Sequence, residues 1–147
     1  QFYEVIMNNR LSVSVNRIDE KIKFEGVTRE NPPIIVDYPE PYGSGHGYTS
    51  LELLLISLCT CSASSIILIL KKMQKNVIDF KVTATGERRT EHPTGFKHIK
   101  LSFIVKSDNI ENEDIQKAIK ISEDSLCPVW NMLKNSVEIE CDFLINN

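Results

Sequence analysis

Apolar and polar positions along the chain follow three regimes. In the first, apolar residues come in short alternating runs: residues 2–8 (FYEVIMN), 11–16 (LSVSVN), 21–25 (KIKFE, with Ile22 and Phe24 on one face) and Ile34-Ile35-Val36. Short runs rich in β-branched and aromatic residues, bounded by turn formers, read as strands. Asn8-Asn9-Arg10 supplies a hairpin turn, residues 26–31 a second turn, and Pro32-Pro33 a break. The expectation is an antiparallel meander with one covered face.

The second regime is residues 50–74, SLELLLISLCTCSASSIILILKKMQ, with no charge between Leu53 and Leu70 and no Gly or Pro. It is too long for a strand and predicts a helix, about 37 Å long at the usual rise per residue. Thr49 or Ser50 can cap it, and Glu52 suits its positive end as Lys71, Lys72 and Lys75 suit its negative end. A helix apolar nearly all round must be buried, in protein or in lipid.

In the third regime alternation returns. Residues 77–86 place Ile78, Phe80, Val82 and Ala84 on one face, and residues 96–105 do the same with Ile99, Leu101, Phe103 and Val105. A charged loop, residues 87–95, joins them into a hairpin. From Ile110 to Asp124 the period becomes helical, with Ile115, Ala118, Ile119 and Ser122 on one side. A short helix starts near Pro128, and residues 136–145 close the chain as a strand with Val137, Ile139, Cys141, Phe143 and Ile145 on one face. Strands grouped in meanders around a long helix make an α+β fold. It is read as a single domain over residues 1–147, with a β-meander and loop (1–48), a central helix (49–75) and a hairpin, helices and final strand (76–147).

Composition narrows this picture. A chain of 147 residues suits one domain with an ordinary core. A net charge of −3 with 25% charged residues points to neither a nucleic-acid nor a lipid-surface binder. Four cysteines are too few for a disulfide-stapled secreted scaffold. With no basic-then-apolar leader pattern at its start, the chain reads as cytosolic with reduced thiols. The central run is at the short end of a bilayer span, and Ser57, Thr60, Ser62, Ser64 and Ser65 dilute it, so a core helix is favoured over a membrane span. Residues 37–49 (DYPEPYGSGHGYT) are Gly-rich but lack the GK[ST] of a phosphate cradle, and read as a mobile loop over a site.

The thiols carry the candidate chemistry. Cys59 and Cys61 are two residues apart, about 200° around a helix, so they point opposite ways and suit neither a shared disulfide nor a metal. Cys59 reads as packing, and Cys141, in phase with a strand's apolar face, as core. Cys127 precedes Pro128 at a helix start, where a thiol's pKa is lowered, which favours a reactive thiol over an inert buried one. A metal site from Cys59, Cys61, Cys127, His46, His92 and His98 finds no support, because no spacing matches a known ligand pattern.

At these residues the chain resembles a known family. S-L-E-L-L-L-I-S-L-C-T-C-S-A resembles the central-helix motif of the OsmC/Ohr family of thiol-dependent peroxidases, roughly P-x-E-L-L-L-A-x-L-A-G-C-T-A. The stretch E-R-R-T-E-H-P-T-G-F-K-H-I-K-L resembles the family's hairpin and S-E-D-S-L-C-P-V its second cysteine motif, with Cys61 and Cys127 66 positions apart. The resemblance covers the chain from about Phe24 onward. It implies an OsmC-like fold, with antiparallel curved sheets around a long buried central helix, and an intertwined homodimer with sites at its interface. It further implies reduction of organic hydroperoxides in oxidative-stress defence. Cys61 matches the cysteine that attacks the peroxide and becomes a sulfenic acid. Cys127 matches the resolving cysteine that condenses with it to a disulfide, and a lipoyl-type dithiol would restore both. No metal or organic cofactor is required.

The chain departs from the hydroperoxide-resistance branch in one respect. That branch has a Glu directly after the motif's Pro, paired with an Arg that activates the thiol. Here Ser50 stands at the Pro position and Leu51 at the Glu position. Glu52 is nine residues from Cys61, about 180° around the helix, and reads as a cap. Arg10, Arg17 and Arg29 are available as the activating Arg, while Arg88 and Arg89 read as solvated loop. The chain is thus expected nearer the OsmC-like branch. The alternative to a peroxidase is a non-catalytic protein of the same fold, holding a small apolar ligand at the dimer interface with Tyr42, His46 and Tyr48 near the mouth.

Overall fold

A computed structural model describes residues 9–147. The strand expected over residues 2–8 lies outside the described residues. The chain divides into two compact units, one up to Leu53 and one from Leu54 onward.

The first unit is a three-stranded antiparallel sheet in the order β1-β2-β3, with β1 at Ser14–Arg17, β2 at Phe24–Val27 and β3 at Ile34–Val36. Gly26 was expected to open a turn. It lies instead inside β2, opposite Val15 on one side and Ile34 on the other, because pairing on both sides outweighs its weak intrinsic preference. The turn falls at Arg29-Glu30, where Arg29 takes a left-handed backbone, φ 54°. Every residue of β1 is exposed.

The loop after β3 is tied rather than loose, which corrects the expectation of a mobile segment. Asp37, 1% exposed, accepts the backbone N–H of Tyr38 at 2.9 Å, and those of Ser44 and His46 at 3.1 Å each. Burial raises the Asp37 pKa, but these three donors and the Lys23 charge outweigh it and hold the carboxylate below its ordinary value. Gly43 is required for this closure: a Cβ there would lie 2.1 Å from the Tyr38 carbonyl oxygen. The loop ends where Tyr48 N–H reaches the Ile35 carbonyl at 3.2 Å, just before the helix cap.

Helix α1 spans Ser50–Lys72. Its start is a reciprocal cap, with Thr49 N–H donating to Glu52 Oε1 at 2.8 Å and Glu52 N–H to Thr49 Oγ1 at 3.3 Å, as expected for Glu52. Those bonds also lower the Glu52 pKa. The expectation of burial all round holds for one face only. Leu58, Ser62, Ser65, Ile66, Ile69 and Leu70 are buried, whereas Ile56, Thr60, Ser64 and Leu68, spaced by four, are exposed. The helix carries its hydroxyls by bonding them back to its own carbonyls: Thr60 to Ile56 at 3.0 Å, Ser62 to Cys59 at 3.1 Å, Ser64 to Thr60 at 2.7 Å and Ser65 to Cys61 at 3.0 Å.

The second unit holds a three-stranded sheet in the order β4-β5-β6: β4 at Asp79–Arg88, β5 at Phe96–Lys106 and β6 at Glu138–Asn146. β4 and β5 form the expected antiparallel hairpin. β6 joins β5 in parallel, so this sheet is mixed rather than antiparallel throughout. The reason is topological, since two helices intervene and supply the long crossover that a parallel neighbour needs. These are α2 at Asn112–Ile121 and α3 at Pro128–Leu133, linked by a π-helical turn at Ser122–Leu126. Ile99, Leu101, Phe103 and Val105 of β5 are wholly buried, with Ile115 and Ala118 of α2 and Leu58, Ile66 and Leu70 of α1 in the same core. Ile78, expected inward, is 53% exposed because it precedes β4.

Among the described residues, Ser50–Lys72 is the one helix long and apolar enough to cross a membrane. Its buried stripe belongs to the protein core, which makes it a core helix, as expected.

Candidate functional site: two neighbouring thiols

Cys61 and Cys127 both lie in the second unit, and Cys61 is near enough to Cys127 to act on its thiol. α1 supplies Cys61 from the edge of its buried stripe, half-buried against the core. Cys127 comes from the junction of the π turn and α3 and is 1% exposed. Its backbone N–H donates to the Ser122 carbonyl at 2.9 Å, which closes the π turn. Its sulfur accepts the backbone N–H of Trp130 at 3.4 Å, so Cys127 is the N-cap of α3 with Pro128 in the first turn. Trp130, 1% exposed, is buried in the same core.

The electrostatics of Cys127 run against the sequence expectation of a lowered pKa. Burial, then the hydrogen bond to Cys61, push it up to about 12; the N–H groups of Trp130 and Val129 pull the other way without prevailing. The helix start is present as expected, but α3 has six residues and its site is dry, so desolvation dominates. At neutral pH Cys127 is a protonated thiol.

The other two cysteines behave differently. Cys59 is half-buried against the core, and burial raises its pKa, in keeping with packing. By helix geometry Cys59 and Cys61 flank the buried stripe on opposite sides. Cys141 was expected in the core. It does point with Ile139 and Phe143, opposite Leu101, but it is exposed because it stands on β6 at the edge of the sheet, where cover is incomplete. Among the described residues no three His, Cys, Asp or Glu side chains converge as a metal site would require.

Of the candidate arginines, Arg17 has local partners. Arg17 bonds the Lys21 carbonyl at 2.6 Å and the Glu20 carbonyl. Arg88, expected in the loop, is instead the last residue of β4, and it bonds the Thr94 carbonyl at 2.7 Å and the Thr94 hydroxyl. Sequence reasoning missed the backbone N–H groups of Val129 and Trp130 that face the Cys127 sulfur. No side-chain pattern marks a backbone donor; the Cys-Pro step was the available signal, since it announces a helix start.

Comparison with known proteins places the chain in a family. Residues 43–142 match the family described as OsmC-like protein. Protein YhfA of Escherichia coli (strain K12) is 36% identical over 89 residues, covering 60% of this chain and 66% of YhfA. In fold, the OsmC-like protein from Mycoplasma pneumoniae superposes with a TM-score of 0.82 at 19% identity, covering 96% of this chain and all of that one. An organic hydroperoxide resistance protein from Elizabethkingia anophelis gives a TM-score of 0.70 at 18% identity, covering 96% of this chain and 100% of that protein. A family match over most of the chain and a shared fold lead to one conclusion: the chain belongs to the OsmC-like family.

Proposed function

We propose that the protein reduces organic hydroperoxides with two cysteines, Cys61 attacking the peroxide and Cys127 resolving the product as a disulfide. The observation that carries this reading is that Cys61 is a neighbouring group that acts on the buried Cys127 thiol. Exposure supports the division of roles. Cys61 is partly accessible to a small oxidant, whereas Cys127 is sealed in the core and can meet only what forms on Cys61. All four cysteines are unpaired, in keeping with a cytosolic protein whose disulfide is returned to thiols by a lipoyl-type dithiol.

A homodimer is part of the proposal. The uncovered stripe of α1 has Ile56 and Leu68 at its ends and the small residues Thr60 and Ser64 between them, so a second helix could approach closely. Val13, Val15 and Ile34 of the first unit are also more than half exposed. Apolar surface on this scale is what a second copy would cover.

The test is thiol counting. Reduced protein mixed with cumene hydroperoxide should lose two thiols per peroxide and yield a Cys61–Cys127 disulfide by peptide mapping, faster than with hydrogen peroxide. Cys61→Ser should abolish consumption; Cys127→Ser should stop at a sulfenic acid trapped by dimedone. Full consumption by Cys61→Ser would sink the mechanism.

A second reading, binding of a small apolar ligand, is favoured by a groove of about 300 Å³ in the first unit, lined by Val15, Phe24, Val36, Ser50 and Leu53. Tyr42, His46 and Tyr48, expected at its mouth, do not line it. Native mass spectrometry of freshly purified protein decides this reading, and a ligand-free spectrum together with robust turnover would dismiss it.

A further inference from the structure

Ser122 follows the last turn of α2 in helical conformation, its N–H shared between the Ala118 and Ile119 carbonyls. A hydroxyl in such a place ordinarily bonds back to the carbonyl three or four residues earlier. On α1, Thr60, Ser62, Ser64 and Ser65 all do so. Ser122 does not: it is wholly buried, and its hydroxyl has no hydrogen-bond partner in the chain. The indole N–H of Trp130, 1% exposed, is likewise unpaired. A buried tryptophan N–H usually finds an acceptor. Among the described residues, these are the two buried side-chain polar atoms left without a partner.

The two are not scattered through the core. The Cys127 N–H donates to the Ser122 carbonyl at 2.9 Å, and the Trp130 backbone N–H donates to the Cys127 sulfur at 3.4 Å. Both unpaired groups therefore belong to residues that bond Cys127 directly. Ser122 also opens the π turn Ser122–Leu126. A π turn takes one more residue into each hydrogen-bonded ring than an α turn, and water inserted at the helix ladder is a known cause of such distortions.

We infer that the π turn encloses a buried water molecule, held between the Ser122 hydroxyl and the Trp130 indole N–H beside Cys127. The chemistry of the two groups selects this ligand. An indole N–H donates and cannot ligate a cation, whereas a hydroxyl both donates and accepts. A water oxygen accepts the indole proton and exchanges a second hydrogen bond with Ser122, which gives it the two polar partners that an internal water needs. Left unpaired, each group would carry the full cost of its desolvation. The site is independent of the peroxidase reading, since it is built from the π turn and α3 and needs no reaction at either thiol.

The test has a spectroscopic and a stability readout. Trp130 is the one tryptophan in the chain, so its indole proton gives a single resonance. Laboratory-frame and rotating-frame Overhauser spectra of the wild type should connect that proton to water with opposite signs, which marks a long-lived water and separates it from simple proton exchange. Absence of that cross-peak would overturn the inference, and the measurement requires no variant. Ser122→Ala then fixes the role of the hydroxyl, with circular dichroism confirming the fold. Removing one holder of a bound water should lower the urea midpoint by about 0.5 M. Removing a hydroxyl that is truly unpaired should raise it, because a methyl group in the core carries no desolvation cost. A raised or unmoved midpoint would overturn the shared site even with a cross-peak in the wild type, since Ser122 would then relay exchange to the indole without holding a water.

Discussion

The run 11–16, which leads into β1, and β5 carry the same sequence signal, apolar residues at every second position, and end in opposite environments. In β5, Ile99, Leu101, Phe103 and Val105 are wholly buried, sheeted on both sides by β4 and β6. In β1, Val15 is 57% exposed and no residue is buried. Alternation says which face of a strand is apolar; it does not say whether anything covers that face. The unit with cover also carries the thiol pair, held by a core helix and a capped helix start. The other unit holds the loop that the Asp37 carboxylate ties through three backbone donors.

The largest effect should come from the covered strand. Phe103→Ala removes a buried ring that also meets Phe80 at a centroid distance of 6.0 Å, and should cost about 3–5 kcal/mol by chemical denaturation. Val15→Ala, measured alongside, should stay within about 0.5 kcal/mol as an exposed change does. A cost near that of the core variant would break the contrast and mean that a partner chain covers β1. Next in size, Leu68→Lys puts a charge on the uncovered stripe of α1. Light scattering should find a dimer in wild type and a monomer with retained helix content in the variant; a monomeric wild type would remove the dimer from the proposal.

Smaller effects sharpen the account of the loop. Asp37→Asn keeps the shape of the side chain but weakens its acceptance of three backbone donors. Amide exchange at Ser44 and His46 should accelerate while exchange in β5 is unchanged; uniform acceleration would mean that the loop is not an independent device. The smallest effect is electrostatic. Asp114 is held below its ordinary value by the Glu111 backbone N–H and by Lys75, 3.0 Å away. A carboxylate with a depressed folded pKa contributes stability that is complete above its unfolded value, near 3.8, and fades as pH falls through the lower folded value. Asp114→Asn should therefore flatten the acid limb of a stability–pH curve and leave stability differences constant above pH about 5; a change confined to alkaline pH would contradict that assignment.

Much of the fold was legible because the signals were local. The run without charge, Gly or Pro gave α1, Thr49 and Glu52 gave its cap, the inward residues of β5 were all identified, and Ser122 fell on the buried side as the helical period required. Where the reading failed, a non-local balance decided the outcome. Cys141 has the right phase but stands at a sheet edge, Gly26 is drawn into a strand by two neighbours, and the 37–49 loop is closed by a single buried carboxylate that composition cannot distinguish from a solvated one. The π turn at Ser122–Leu126 has no periodic signature, since it is one extra residue absorbed between two helices.

The sequence by itself determined the elements, the family motifs and the two cysteines worth attention. Those follow from hydrophobic period, caps and spacing, which act over a few residues. Only the tertiary structure decided that the two thiols are neighbours, and that burial raises the Cys127 pKa despite its standing at a helix start. Whether a thiol ionises depends on how much water is removed and which group is brought beside it. Both are set when α1 and the α3 start, 66 positions apart in the chain, pack into one core.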